Sequence, residues 1–251
     1  YNYQASIRPS ASSYVKETLK RFMTRRADGL ITYTVGGAEY WRKQGMPEDR
    51  VIPYYNTIDV EGLRKIGAEI RGEQLADLRQ KLSLEGKRVL LFSGRLYAEK
   101  KVDFLLRAFA ILKQTFPGVA LLIIGEGEER IGLEELAKRL ELNDVHFLGE
   151  RVDPRETAAY FSLADLMVIP GLVGLAIVHG FAFGLPLVTT RHDYHSPEIE
   201  YLSERNGMIT SHDVESYAQA IRAIFASESF IRTMRDQAER DGARLCLSHS
   251  A

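Results

Sequence analysis

In the string FSGRLYAEKKVDF an apolar run ends at Ser93, Gly94 permits a close approach of the backbone, and Arg95 and Lys100 bracket the turn into the next amphipathic run. A guanidinium can grip phosphate oxygens through two parallel hydrogen bonds, and an ammonium supplies a mobile point charge. The pair therefore suits a diphosphate on which negative charge grows. The competing reading makes both residues solvated surface cations, with Lys100 paired to Glu99. A second string, IIGEGEE, puts Gly125 and Gly127 at another strand end. It lacks the third glycine of the dinucleotide fingerprint, and the acidic residues that follow would repel a pyrophosphate. It predicts a tight turn, either beneath a nucleotide or with no ligand at all.

The third string is PGLVGLAIVHGFAFGLP, in which Gly171 and Gly174 mark the passage from a strand into a helix. Backbone N–H groups of Leu172, Val173, Gly174 and Leu175 left free there would form an anion or hydroxyl site backed by the helix dipole. His179 is the only polar side chain of that helix, and it fits either a satisfied core position or the same crevice. The fourth string, RHDYHSPEIEYLSERNGMIT, is read as a polar loop after the last buried strand, with a turn at Asn206–Gly207. His192, Asp193, His195 and Glu198 raise the question of a metal, but no two of them share a helix face, and Pro197 opens a short helix. Glu198 would complement the dipole of that helix.

These positions need a scaffold, and the chain supplies one. From Arg88 onward short β-rich runs (RVLLFSG, ALLIIGEG, VHFLG, LMVIP, PLVTT) alternate with amphipathic helical runs (VDFLLRAFAILKQTF, GLEELAKRLEL, ETAAYFSLA, LAIVHGFAF, ESYAQAIRAIFAS). Such alternation, with near-continuous apolar strands, predicts a doubly wound parallel α/β sheet whose ligands bind off the carboxyl ends of the strands. Leu166 to Thr190 contains no Asp, Glu, Lys or Arg, but its prolines and glycines break it too often for a membrane span. Before Arg88 the pattern is thinner: a helix near Ser13–Arg26, strand GLITYT, a helix around Ala38–Gln44 and strand RVIPYY. Two strands make no stable sheet alone. Residues 1–55 are therefore expected to be the remnant of a preceding α/β domain, in a chain cut from something longer. Residues 56–87 would be a linker and one surface helix with Leu75, Leu78 and Leu82 on its buried stripe, 88–227 the main sheet domain and 228–251 a C-terminal helix and tail.

The 251 residues carry 33 basic and 34 acidic side chains, so no whole-chain field draws in nucleic acid. The single cysteine, Cys246, has no partner for a disulfide, and no Cys/His spacing offers a zinc site. A reduced, cytoplasmic setting fits that usage.

Taken in order, SGRLYAEKKVDFLLRAF, LLIIGEGEE, VHFLGE, YFSLADLMVIP and FAFGLPLVTT resemble the C-terminal, donor-binding domain of family-four retaining glycosyltransferases of the GT-B type, from about Arg50 to Phe225. The resemblance implies a Rossmann-like fold and a UDP- or GDP-hexose donor. It makes Arg95 and Lys100 the diphosphate ligands that support catalysis, and Gly94, Gly125, Gly127, Arg151 and Val152 part of the nucleotide site, the last two in the segment that holds the base. It implies no metal and no cofactor beyond the nucleotide-sugar, a saccharide or lipid-linked acceptor, and a cytoplasmic protein with room for peripheral membrane association through the first domain. The family's two glutamates, separated by seven residues, are replaced by Gly171 and His179, and a His-x-Pro-Glu loop at His195 and Glu198 resembles that of a bacterial subset. Glu198 would then supply the missing carboxylate. The departures keep two other readings open: a nucleotide-sugar-binding module without catalysis, and a sugar-nucleotide epimerase.

Overall fold

The computed structural model describes residues 11–192 and 195–246. Asp193 lies outside the described residues, as do residues 1–10 of the N-terminal segment and 247–251 of the tail. The first elements are α1 (Ala11–Thr24), β1 (Leu30–Thr32), α2 (Val35–Lys43) and β2 (Val51–Pro53). β1 and β2 pair in parallel, with Ile31 opposite Ile52. Because side chains alternate along a strand, Val51 turns inward with Ala38 and Met46, while Ile31 and Ile52 stay 70% and 60% exposed. Thr34 starts α2 by accepting a hydrogen bond from the Gly37 N–H.

The stretch expected to hold one surface helix holds two, α3 (Val60–Glu69) and α4 (Gly72–Lys81). α3 is started by Asp59, whose carboxylate accepts from the Gly62 N–H, and Ile70 leaves it with extended backbone. The Arg71 N–H then donates to the Gln74 side chain and opens α4. Leu75, Leu78 and Leu82 do pack against the main core, as their spacing predicts.

The remaining elements are β3 (Arg88–Ser93), α5 (Val102–Thr115), β4 (Val119–Ile124), α6 (Arg130–Arg139), β5 (Val145–Gly149), α7 (Pro154–Leu163) and β6 (Leu166–Val168), followed by α8 (Ala176–Ala182), β7 (Leu187–Thr190), β8 (Gly207–Thr210), α9 (Val214–Phe225) and α10 (Glu228–Arg244). They build one six-stranded parallel sheet in the order β5-β4-β3-β6-β7-β8. β4 is buried at every position, which a strand tolerates only when helices cover both faces. α5 packs with α6 and α9, and α8 packs with α3 and α10, giving the two layers.

β8 corrects the reading of Arg191–Thr210 as a polar loop. Its register runs from Leu187–Gly207 to Thr190–Thr210. It lies at the sheet edge, so Ile209 remains 43% exposed and no continuous apolar run marks it in the sequence. The order reverses between β3 and β6: the chain winds outward through β4 and β5, then returns to the other side of β3. Crossovers leave that point on opposite faces, and sheets of this kind bind their ligands there, beyond the carboxyl ends of the strands, here β3 and β6.

The turns after β3 and β4 meet backbone to backbone. A Cβ on Gly125 would lie 1.9 Å from the Gly94 carbonyl oxygen, and its φ is +142°, which an L side chain resists. Gly125→Ala is expected to lower the unfolding free energy by about 1–3 kcal/mol. A lower urea midpoint at unchanged slope would register this, and an unchanged midpoint would show that the two turns yield freely.

Candidate functional site

Lys100 closes a 3-10 turn, Ala98–Lys100, that follows β3. Its side chain runs inward past Gly94, where the position a Cβ would occupy is 3.6 Å from Lys100 Cε and 3.8 Å from Nζ. Nζ donates to the Leu172 carbonyl at 2.6 Å and lies 5.7 Å from the centre of the Tyr97 ring. The residue is only 8% exposed, and among the described residues no carboxylate pairs with it. The alternative pairing with Glu99 is not formed. Burial lowers the pKa of this ammonium. A buried cation with no acid to neutralise it is held at a cost that an incoming anion would relieve.

Arg95, one residue beyond Gly94, is exposed and makes no ion pair among the described residues. Gly125 and Gly127 shape the floor of the turn: Leu96 donates to the Glu126 carbonyl at 2.8 Å, and Glu129 N–H returns to the Leu96 carbonyl at 3.1 Å. Of the acidic side chains of this turn, Glu126 pairs with Arg130, which also pairs with Glu134 one helical turn further on.

Across the switch point lies the turn 170–175. Thr190 Oγ1 donates to the Pro170 carbonyl at 2.6 Å. Gly171 fits here because a Cβ would lie 2.1 Å from the Glu99 carbonyl oxygen. With this backbone no side chain, and so no carboxylate, can stand at 171. The expected row of free N–H groups is shorter than the sequence suggested: Leu172 N–H donates to the Glu99 carbonyl at 2.9 Å, and Val173 N–H donates to His195 Nδ1 at 3.1 Å. Both are consumed in holding the turn. Only Gly174 and Leu175 keep N–H groups without an acceptor among the described residues.

The other predicted positions surround this core unevenly. His179 is half-buried on α8, its Nδ1 3.3 Å from the Leu175 carbonyl and its ring 6.1 Å from that of Phe161. Burial lowers its pKa, against the opposing effect of the Leu175 hydrogen bond. Arg151 pairs with Glu156 at 2.8 Å and lies 5.7 Å from the Tyr160 ring, while Val152 beside it is 82% exposed. Glu198 does not sit open to the crevice. It is 3% exposed on the 3-10 turn Pro197–Tyr201, one oxygen accepts from Asn56 Nδ2, and the other has no partner among the described residues.

Residues that the sequence did not single out complete the frame. Thr190 was legible only as the end of the run PLVTT, yet it and Asn56 each bond across more than one segment. Glu200 reaches the Gly36 N–H at 2.9 Å and Thr34 Oγ1 at 3.1 Å, and the Tyr201 hydroxyl donates to the Asn56 carbonyl at 3.2 Å. Among the described residues no group of three or more His, Cys, Asp or Glu is placed to hold a metal ion, and no helix is long and apolar enough to cross a membrane.

Known proteins resemble this chain in sequence and in fold. The family model described as "Glycosyl transferases group 1" matches residues 74–241. The alpha-monoglucosyldiacylglycerol synthase of Streptococcus pneumoniae is 31% identical over 151 residues, 59% of this chain and 33% of that protein. The D-inositol 3-phosphate glycosyltransferase of Pseudarthrobacter chlorophenolicus is 33% identical over 144 residues, 54% of this chain and 34% of that protein. These alignments span about a third of each relative's length. Among solved structures, Anabaena HepE in complex with UDP superposes with a TM-score of 0.76 at 21% identity, covering 96% of this chain and 67% of the other, which shows a common fold.

Lys100→Met removes the buried charge and keeps most of the apolar stem. The unliganded protein is expected to keep its stability or gain up to about 1 kcal/mol, the signature of a residue retained for binding. The unfolded chain binds the lysine proton more tightly than the folded one, so the wild-type penalty is present at neutral pH and fades as pH rises toward the ordinary lysine range. A loss above about 3 kcal/mol in chemical denaturation of Lys100→Met would instead make the ammonium a structural group.

Proposed function

Because the chain belongs to the group 1 glycosyl transferases, we propose that its crevice binds the diphosphate of a nucleotide-sugar and that the protein transfers the sugar, with retention, to a saccharide or lipid-linked acceptor. The observation that carries this reading is Lys100: a buried ammonium with no carboxylate partner among the described residues, at the switch point of a parallel sheet, beside a turn with no room for a side chain at Gly171. Arg95 is the second cation, free to swing onto the same group. As the sugar–oxygen bond breaks, negative charge moves onto the diphosphate, and preorganised cations stabilise that charge more than the ground state. The departing phosphate oxygen can then take the acceptor's proton, so the reading needs neither a metal ion nor a protein base. UDP is the first probe, since HepE carries it in a like fold.

The proposal extends to the domain division, with residues 1–55 belonging to an acceptor-side α/β domain and 56–87 bridging to the donor-side sheet. The outward faces of β1 and β2 support it. A parallel pair is normally covered on both faces, and Ile31, Ile52, Tyr33 and Tyr54 are 70%, 60%, 60% and 45% exposed. Acceptor positioning supplies on the order of 7–11 kcal/mol of barrier reduction in such reactions. The 251-residue chain is therefore expected to bind donor and to transfer no sugar at a rate comparable with a longer form carrying a complete first domain. A second reading, donor binding without transfer in any form, is favoured by Gly171 and His179 at the positions of the family's two carboxylates. Product analysis with the longer form separates the two.

Charge-assisted hydrogen bonds contribute about 1.5–3 kcal/mol each, so Arg95→Ala or Lys100→Ala should weaken UDP or GDP binding about ten- to a hundred-fold in calorimetry. Unchanged affinity in both variants would remove the diphosphate assignment. With Nδ1 of His179 bonded to the Leu175 carbonyl, Nε2 is the atom left to accept from a ribose hydroxyl. His179→Ala should then weaken UDP more than its 2′,3′-dideoxy analogue, and equal effects on both would make His179 a packing residue.

A further inference from the structure

The peptide group joining Leu172 to Val173 is gripped at both ends by ionisable side chains. Its carbonyl accepts from Lys100 Nζ at 2.6 Å, and its N–H donates to His195 Nδ1 at 3.1 Å. His195 is 9% exposed, and its other nitrogen, Nε2, lies 2.8 Å from the Thr190 carbonyl. A carbonyl can only accept, so Nε2 must carry the proton; an N–H can only donate, so Nδ1 must carry none. One tautomer of the neutral ring satisfies both bonds. The ring thereby ties the end of β7 to the turn after β6, and Ser196 N–H adds a bond to the Val173 carbonyl at 3.1 Å.

We propose that His195 is the positioning residue of the crevice: neutral, with its proton on Nε2, it fixes the plane of the Leu172–Val173 peptide and, through the carbonyl of that peptide, the ammonium of Lys100. Protonation would turn Nδ1 from acceptor to donor, leave two donors facing each other, and favour rotation of the peptide away from both side chains. Lys100 would then lose the bond that aims it. Among the described residues, the charged and titratable groups around the ring are His192, whose ring centre is 5.7 Å away, Lys100 beyond the shared peptide, and Arg191 and Glu204, which line with His195 a cavity of about 810 Å³. Burial is the main cause that lowers the imidazole pKa, the Thr190 bond opposes it, and His192 and Lys100 add to the lowering. The lock therefore holds at neutral pH. As pH falls, the unfolded chain takes the proton first, so the stability tied to this ring is lost progressively below the ordinary histidine range.

The link from His195 to the turn stands by itself, while its consequence for ligand binding rests on the diphosphate reading. Both are tested on the full 251-residue chain. Two-bond proton–nitrogen correlation spectra at neutral pH are expected to give the Nε2–H pattern for His195, with slow exchange of the Val173 amide. Both signals should change together as pH falls. An Nδ1–H pattern, or a Val173 amide exchanging like an open loop, overturns the proposal whatever the chain binds. Calorimetry with UDP on His195→Ala, Lys100→Ala and the double variant supplies the second measurement. His195→Ala should weaken binding about tenfold where Lys100 is present and by less than about twofold where it is absent. Equal losses in both backgrounds overturn the coupling. His195→Asn, whose amide oxygen is near the place of Nδ1, should recover most of the affinity and replaces His195→Ala if that variant does not fold. Wild-type protein that ignores UDP and GDP would sink the diphosphate reading, while the spectra still decide the role of His195.

Discussion

The bond from Lys100 Nζ to the Leu172 carbonyl, 2.6 Å long, spans the point where the strand order reverses. Everything around it follows from keeping an ammonium there, 8% exposed and, among the described residues, without an acid. The turn on which it rests must come close, so Gly171 packs against the Glu99 and Lys100 backbone with no space for a Cβ. That turn must also hold its shape, so its backbone groups are spent on Glu99, His195, Ser196 and Thr190. Desolvating the cation costs stability. The apolar sheet interior around it, with β4 buried end to end, offsets that cost.

This economy explains why the turn contributes so few free donors. A row of four open N–H groups would be a strong anion site but a floppy one, since nothing would fix the peptide planes. Here two of the four are used to anchor the turn, and the positive charge is supplied by Lys100 and the exposed Arg95 instead. Under the proposed diphosphate reading, binding strength depends more on two side chains than on the backbone.

The same loop that anchors the turn also reaches back to the N-terminal segment. Within the single turn Pro197–Tyr201, Glu198 takes Asn56, Glu200 takes Gly36 and Thr34, and Tyr201 donates to the Asn56 and Tyr33 carbonyls. Burial, with Glu198 nearby, holds the Tyr201 phenol well above its ordinary pKa, so it remains a donor across the working range. Neighbouring residues of one loop therefore serve the crevice through His195 and the first segment through Glu198, Glu200 and Tyr201. The second oxygen of Glu198 is left without a partner among the described residues, a rare state for a buried carboxylate.

The alternation of apolar strands and amphipathic helices from Arg88 onward is enough, by itself, to specify a doubly wound parallel sheet and to mark the strand ends at Gly94, Gly125 and Gly171 as the places to look. Burial of both faces forces such strands into long apolar runs, and that is a local signal. The edge strand β8 escaped because an edge is only half covered, and α3 and α4 were merged because the break at Ile70–Gly72 comes from capping within a polar stretch. Arg95 and Lys100 were legible as cations at a strand end; that Lys100 is buried and Arg95 exposed was not, because burial is set by what folds over a residue from elsewhere. The partners of Val173 and Glu198 lie 22 and 142 positions away. Hydrogen bonds across such separations leave no periodicity in a chain, so which N–H groups are free, which tautomer His195 adopts and where Glu198 points were decided only when the turn after β6, the end of β7 and Asn56 were brought together.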